Sequence, residues 1–278
     1  MTERFFGGHD ALLCDLDGVV YAGDHAIDGA VPTLRELDAR GVPVAYVTNN
    51  ASRAPQAVAE HLNSFGLKVS GEQVFGSAAA GVALLDERLG GRRGSVLVVG
   101  SDHLRELVTA AGHDLVTHAA EHPDAVIQGF DPAVGWTDLA EAAYAVRAGA
   151  CWVATNTDLT IPRAEGIAPG NGALVEAISR ATGTTPVAAG KPAPVLFRMA
   201  AQRLGATRPL VVGDRLDTDI LGGNRAGYDT ALVLTGVDSR TSAASAPADQ
   251  HPSWILEDLP ALLDAPSAHG DGDGERRR

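Results

Sequence analysis

Cysteine is scarce in this chain of 278 residues, which has two, Cys14 and Cys151. Two thiols make no disulfide framework, and that fits a reducing compartment. Both lie in apolar runs, where a thiol is expected to pack as a small buried hydrophobe. Long hydrophobic stretches are missing too. No uncharged apolar run reaches about 18 residues, so no membrane-spanning helix is predicted. The start of the chain, Met1 to Asp10, has no apolar segment or small-residue cleavage pattern, so no signal peptide and a cytoplasmic location are expected. Positive charge is the third shortage: 22 basic residues stand against 35 acidic ones, a formal net charge of −13. That argues against a nucleic-acid surface or an anionic membrane as partner, since both need clustered Lys and Arg. An anionic substrate must then be met by a local cation. His9, His103, His113, His118 and His122 show no metal-binding spacing, so no zinc site is expected.

What is present is ordinary for a globular protein. Hydrophobic residues make up 45% and charged residues 21%, and the length predicts one large domain or two modest ones. Short apolar runs alternate with amphipathic segments, the pattern of βα units around a parallel sheet. Strands are predicted at 11–16, 42–47, 96–99, 125–128, 151–154, 209–213 and 230–234. Helices are predicted at 30–39, 55–65, 78–89, 104–111, 139–148, 173–182, 194–204 and 218–226. The Ser-, Ala- and Pro-rich stretch 238–252 reads as loop, and 267–278 reads as a disordered tail. Gly90-Gly91-Arg92-Arg93-Gly94 precedes a strand, whereas a phosphate loop follows one, so it reads as a turn.

Four places put polar groups at the carboxyl ends of strands, where open α/β sheets bind ligands. The first is Asp15-Leu16-Asp17-Gly18-Val19. Two aspartates spaced by two on a strand share a face, and a carboxylate closing an apolar strand is costly to bury without a partner. The second is Thr48-Asn49-Asn50, a hydroxyl and amides ahead of a helix, which suits an anion but also ordinary capping. The third is Gly190-Lys191-Pro192, a lysine that becomes a fixed counter-charge beside a phosphate and a carboxylate. The fourth runs from Gly213 and Asp214 through Arg215, Asp217 and Asp219. Asp217 is expected to cap the next helix. Asp214 points where Asp15 points if their strands are neighbours, and two or three acidic oxygens with waters suit Mg²⁺.

The order of these motifs over residues 10–265 resembles the haloacid dehalogenase superfamily. The resemblance implies an α/β fold: a Rossmann-like doubly wound parallel-sheet core with an inserted α/β type II cap domain. It also implies a Mg²⁺-dependent phosphatase acting through an aspartyl-phosphate. Asp15 is then the nucleophile and Asp17 the general acid and base. Thr48, Asn49, Asn50, Lys191 and Arg215 bind the phosphorylated substrate. Asp15, the Asp17 carbonyl and Asp214 hold the metal, and Asp219 orients the site from behind.

Asn50 and Lys191 are about 140 residues apart, too far for one βα unit, so an insertion is expected there. The implied organisation is core 1–77, cap 78–187, core 188–266 and tail. Asp17-Gly18-Val19-Val20-Tyr21 with Thr48-Asn49-Asn50-Ala51-Ser52 resembles the NagD-like, 4-nitrophenylphosphatase-like branch. Within it, Thr155-Asn156-Thr157-Asp158, Pro169-Gly170-Asn171-Gly172 and the segment 213–219 resemble bacterial glycerol 3-phosphate phosphatases. Asn156, Asp158 and Arg163 become the cap residues that read a small phosphorylated metabolite, with glycerol 3-phosphate favoured. Pairing of two chains through the cap is a further implication. The rivals are a phosphatase for phosphoglycolate, a sugar phosphate or a nucleotide, a phosphomutase, and a binding protein with a dead site. The last is expected to lose Asp15 or Asp17, and both are present.

Overall fold

Ala11–Cys14, Val44–Thr48 and Pro209–Gly213 are buried along their whole length, as parallel strands covered on both faces must be. The structure is a computed structural model that describes residues 5–163 and 166–264, except the side chains of 162 and 163. The expected tail, 267–278, lies outside the described residues.

In chain order the first elements are β1 (Ala11–Cys14), β2 (Tyr21–Ala22), β3 (His25–Ala26), α1 (Ala30–Ala39), β4 (Val44–Thr48), α2 (Pro55–Ser64) and β5 (Val74–Gly76). Next come α3 (Ser77–Arg88), β6 (Ser95–Val99), α4 (Asp102–Ala110), β7 (Asp114–Val116), β8 (Ala125–Gln128), α5 (Trp136–Arg147) and β9 (Cys151–Ala154). A hairpin of β10 (Thr160–Arg163) and β11 (Gly166–Pro169) leads to α6 (Asn171–Thr182) and β12 (Val187–Ala188). Next come α7 (Val195–Leu204), β13 (Pro209–Gly213), α8 (Leu221–Ala226), β14 (Asp229–Val233), α9 (Arg240–Ser245) and β15 (Trp254–Leu256).

The chain divides into two compact units. The first draws on Met1–Thr48, Pro55–Phe75 and Lys191–Arg278, the second on Asn49–Ala54 and Gly76–Gly190. The first is built on a six-stranded sheet of order β15-β14-β13-β1-β4-β5. The pairings from β15 to β4 are parallel. Strand order runs outward from β1 through β4 and β5, then resumes on its other side with β13, so the winding reverses at β1. Leu12, Cys14, Val44, Tyr46, Leu210 and Val212 share one core cluster with Leu34 and Leu37 of α1 and Leu62 of α2. The alternate residues face the other way, where α7 packs on β1 and β4. The second unit holds a parallel five-stranded sheet of order β12-β9-β8-β6-β7. Its core joins Leu97, Val126, Trp152 and Ile178. Among the described residues, no helix is long and apolar enough to cross a membrane.

Several expectations need correction. The first strand stops at Cys14 rather than Leu16. The stretch 238–252 is not all loop: α9 lies in it, with the Ser239 side chain accepting the Ser242 N–H as its cap. Cys151 is half-buried rather than buried, because it opens β9. β2, β3, β5, β7, β10, β11, β12 and β15, strands of two to four residues, were not foreseen.

Candidate active site

The pairing of β1 decides which motifs meet. Cys14 stands opposite Tyr46 on one side and Val212 on the other. Asp15, Thr48 and Asp214 therefore lie at the carboxyl ends of three neighbouring strands, at the point where the winding reverses. The Asp15 N–H continues the ladder by donating to Val212 O at 2.9 Å.

Four charged side chains are buried here. Exposure is 8% for Asp15, 4% for Lys191, 2% for Asp214 and 0% for Asp219. Lys191 Nζ lies 2.6 Å from Asp15 Oδ1 and 2.6 Å from Asp219 Oδ1. One oxygen from each of Asp15, Asp214 and Asp219 lies within 4.8 Å of the other two. Burial, and next the charge of Asp219, pushes the Asp15 carboxyl well above the usual range, against the pull of Lys191. Burial and Asp219 also push Asp214 up to about 6. Burial opposes the Lys191 ammonium, but Asp15 and Asp219 outweigh it and hold the amine above its ordinary value. Three carboxylates face one ammonium, so buried negative charge is in excess. The donors are all carboxylate oxygens, which suits a hard divalent cation such as Mg²⁺.

The strain of that excess charge can be read by titration. Asp214 has a folded-state value above its ordinary 3.8. Its penalty is fully present above pH 6 and is relieved as pH falls through 6 toward 3.8. Chelated protein is expected to gain ~1 kcal/mol of stability on going from pH 7.5 to 5. Added Mg²⁺ is expected to reverse the trend. A melting temperature that falls steadily over that interval without the cation contradicts this account.

Local structure explains how the carboxylates come so close. Gly18 has φ +78°, and a Cβ there would lie 2.3 Å from Asp214 Oδ2. At Gly213 a Cβ would sit 2.2 Å from Asp219 Cβ, so both positions need glycine. After Asp214 the chain makes a wide π-type turn over Leu216–Ile220. The N–H groups of Asp219 and Ile220 both donate to Arg215 O at 3.1 Å. This turn buries Asp219 and leaves Asp217 outside, where Arg215 Nε and Nη2 donate to its two carboxylate oxygens at 3.1 and 3.0 Å. Asp217 is therefore not the helix cap it was expected to be. Asp219, placed behind the site by the resemblance, stands in the carboxylate cluster itself.

Asp17 also differs from expectation. The strand has already ended, Val20 N–H turns back to Leu16 O at 2.8 Å, and Asp17 is exposed beside a bridge to Tyr21. Asp15 and Asp17 thus do not share a strand face, and the Asp17 side chain is outside the carboxylate cluster. Thr48 is buried at the end of β4.

The remaining predicted residues belong to the second unit. Asn49 Nδ2 donates to Asp158 Oδ1 at 3.0 Å, and Asn156 Nδ2 donates to Asn49 O at 2.8 Å. Asn50 Oδ1 accepts the Ser52 N–H and Arg53 N–H, organising the turn ahead of α2. Asn49, Asn156 and Asp158 are thus brought together. Arg163 is described as the last residue of β10, and its side chain lies outside the described ones.

Sequence reasoning passed over 235–238. Val237 N–H donates to Asp214 Oδ2 at 2.8 Å, and Thr235 Oγ1 donates to Gly18 O at 2.7 Å.

Comparison with known proteins gives a consistent result. The haloacid dehalogenase-like hydrolase family model matches residues 12–114, and a HAD-hydrolase-like model matches 188–262. A D-glycerol 3-phosphate phosphatase of Mycobacterium tuberculosis is 47% identical over 255 residues, covering 91% of this chain and 71% of that protein. An acid sugar phosphatase of Staphylococcus aureus is 40% identical over 233 residues, covering 83% and 88%. Among solved structures, the M. tuberculosis glycerol phosphate phosphatase in complex with magnesium has a TM-score of 0.88 at 46% identity, over 92% of this chain and 77% of that one. A double-mutant thermostable NPPase from Geobacillus stearothermophilus has a TM-score of 0.83 at 34% identity, over 93% and 98%.

Proposed function

Because this chain belongs to the haloacid dehalogenase-like hydrolases and is a phosphatase of small phosphorylated metabolites, we propose that it hydrolyses glycerol 3-phosphate through an aspartyl-phosphate formed on Asp15. The observation that carries the mechanism is the buried Lys191 ammonium, 2.6 Å from both Asp15 and Asp219 at the carboxyl ends of the strands. The substrate rests on the mycobacterial relative named for it.

In this reading Asp15 attacks phosphorus, the bond to the leaving alkoxide breaks, and Asp17 supplies the proton. Water then attacks the aspartyl-phosphate while Asp17 takes up its proton, releasing inorganic phosphate and restoring Asp15. The exposure of Asp17 lets it exchange protons with solvent between the two halves. Lys191 offsets charge on the phosphoryl oxygens, and Asp219 holds its ammonium against Asp15. Thr48 and the main chain of Asn49 hold the transferring oxygens. Asp15, Asp214 and the Asp17 carbonyl would hold Mg²⁺, which when bound would offset the repulsion between a carboxylate and a phosphate dianion. The second unit is the cap, and the choice of leaving group is assigned to it.

Phosphate release across glycerol 3-phosphate, phosphoglycolate, sugar phosphates, nucleoside monophosphates and 4-nitrophenyl phosphate tests the substrate. Glycerol 3-phosphate is expected to lead in kcat/KM by about 100-fold, or ~2.7 kcal/mol of transition-state binding. A flat profile would remove the substrate assignment. Excess chelator is expected to stop turnover and Mg²⁺ to restore it.

A further inference from the structure

The segment after β14 touches both ends of the acidic site without supplying a carboxylate to it. Val237 N–H occupies Asp214 Oδ2 at 2.8 Å. Asp238 then brackets the same loop twice, its N–H donating to Asp214 O at 3.0 Å and its Oδ2 accepting the Leu216 N–H at 2.8 Å. Thr235 Oγ1 donates to Gly18 O at 2.7 Å, tying in the turn that carries Asp17. Gly236 allows the approach, since a Cβ there would lie 2.0 Å from Asp214 Oδ2. Val237 is 67% exposed, so its place is not explained by burial of its own side chain.

We propose that Thr235–Asp238 is a positioning strap that fixes the cation-binding carboxylate of Asp214, with Thr235 and Asp238 as its positioning residues. The proposal rests on the reading of Asp214 as a cation ligand. The strap engages one carboxylate oxygen of Asp214 and, among the described residues, no hydrogen bond reaches the other, Oδ1. A carboxylate held by one oxygen presents the second in a single orientation. Partners of this kind set cation affinity while touching neither the ion nor the substrate. Asp238 also spans the π-type turn from outside, so Asp214 and Leu216 are held as one piece.

The test measures Mn²⁺ affinity of the full chain by electron paramagnetic resonance, beside kcat, KM and melting temperature. Asp238→Ala and Thr235→Val are expected to weaken Mn²⁺ binding by about 10- to 100-fold. KM for the phosphomonoester at saturating Mg²⁺ should stay within twofold. Asp238→Asn and Thr235→Ser keep the acceptor and the donor and are expected to bind Mn²⁺ like wild type. Unchanged Mn²⁺ affinity in Asp238→Ala and Thr235→Val, with or without a lower melting temperature, overturns the strap. Asp214→Asn separates the two readings. If it binds Mn²⁺ as tightly as wild type, the ligand assignment fails and the strap with it. If it loses Mn²⁺ while the strap variants keep it, only the strap fails.

Discussion

Asp15→Asn is expected to lower kcat by at least about 1,000-fold, more than 4 kcal/mol of transition-state stabilisation, while the protein stays folded. An amide is no nucleophile toward phosphorus, so the covalent route closes at its first step. The fold should tolerate the change, because the amide oxygen still accepts from Lys191 and the side chain keeps its shape. Stability gives an independent check. The Asp15 carboxyl is held above its usual range by burial and by Asp219. Removing its charge relieves that repulsion, and the melting temperature of chelated Asp15→Asn is expected to equal or exceed that of wild type. A variant that turns over within tenfold of wild type places the nucleophile elsewhere. A variant that is inactive and unfolded makes Asp15 structural rather than catalytic.

Lys191→Met is expected to damage both stability and turnover. The chain has two lysines, Lys68 and Lys191, and the second is buried between two carboxylates. Removing one partner of a buried ionic group leaves uncompensated charge and costs about 3–5 kcal/mol. In a protein of this size that corresponds to a melting temperature lower by roughly 10 °C. The loss of charge on the phosphoryl group should reduce kcat by about 100-fold or more. Lys191→Met combined with Asp219→Asn separates the two effects. The double variant is expected to recover much of the lost stability, because the buried excess of negative charge shrinks, but none of the lost turnover. Recovery of both would make Lys191 a structural counter-ion alone. A single variant with wild-type melting and turnover would remove it from the site.

Much of this arrangement is legible in the sequence because a period and a boundary are local properties. An apolar run ending in Asp15, Thr48 or Asp214 announces a covered strand with a polar residue at its carboxyl end, whatever its neighbours. The residues that escaped depend on turns. Asp17 was placed on the strand by a spacing of two, but the backbone leaves the strand at Cys14. Asp217 was expected to cap the next helix and Asp219 to orient the site from behind, and neither capping preference nor spacing fixes how deeply each carboxylate sits. A turn one residue wider than an α-helical turn swings Asp219 inward and leaves Asp217 paired with Arg215 in solvent. Thr235–Asp238 was hidden because the stretch from Asp238 reads as loop, and its contacts are with residues more than 20 positions away.

The sequence by itself determined the alternation of strand and helix, the acidic and hydroxyl residues at strand ends, and the need for a local cation in a chain of net charge −13. The tertiary structure decided which of those residues share one site. Asp15 and Asp214 are separated by 199 positions and become neighbours through the pairing of β1 with β13, while Lys191, 176 positions from Asp15, reaches it from the segment ahead of α7, which packs on β1 and β4. Burial then did what spacing cannot. It set the carboxylates of Asp15, Asp214 and Asp219 against one ammonium in a medium that screens charge poorly, and that excess is the physical reason the site fits a divalent cation.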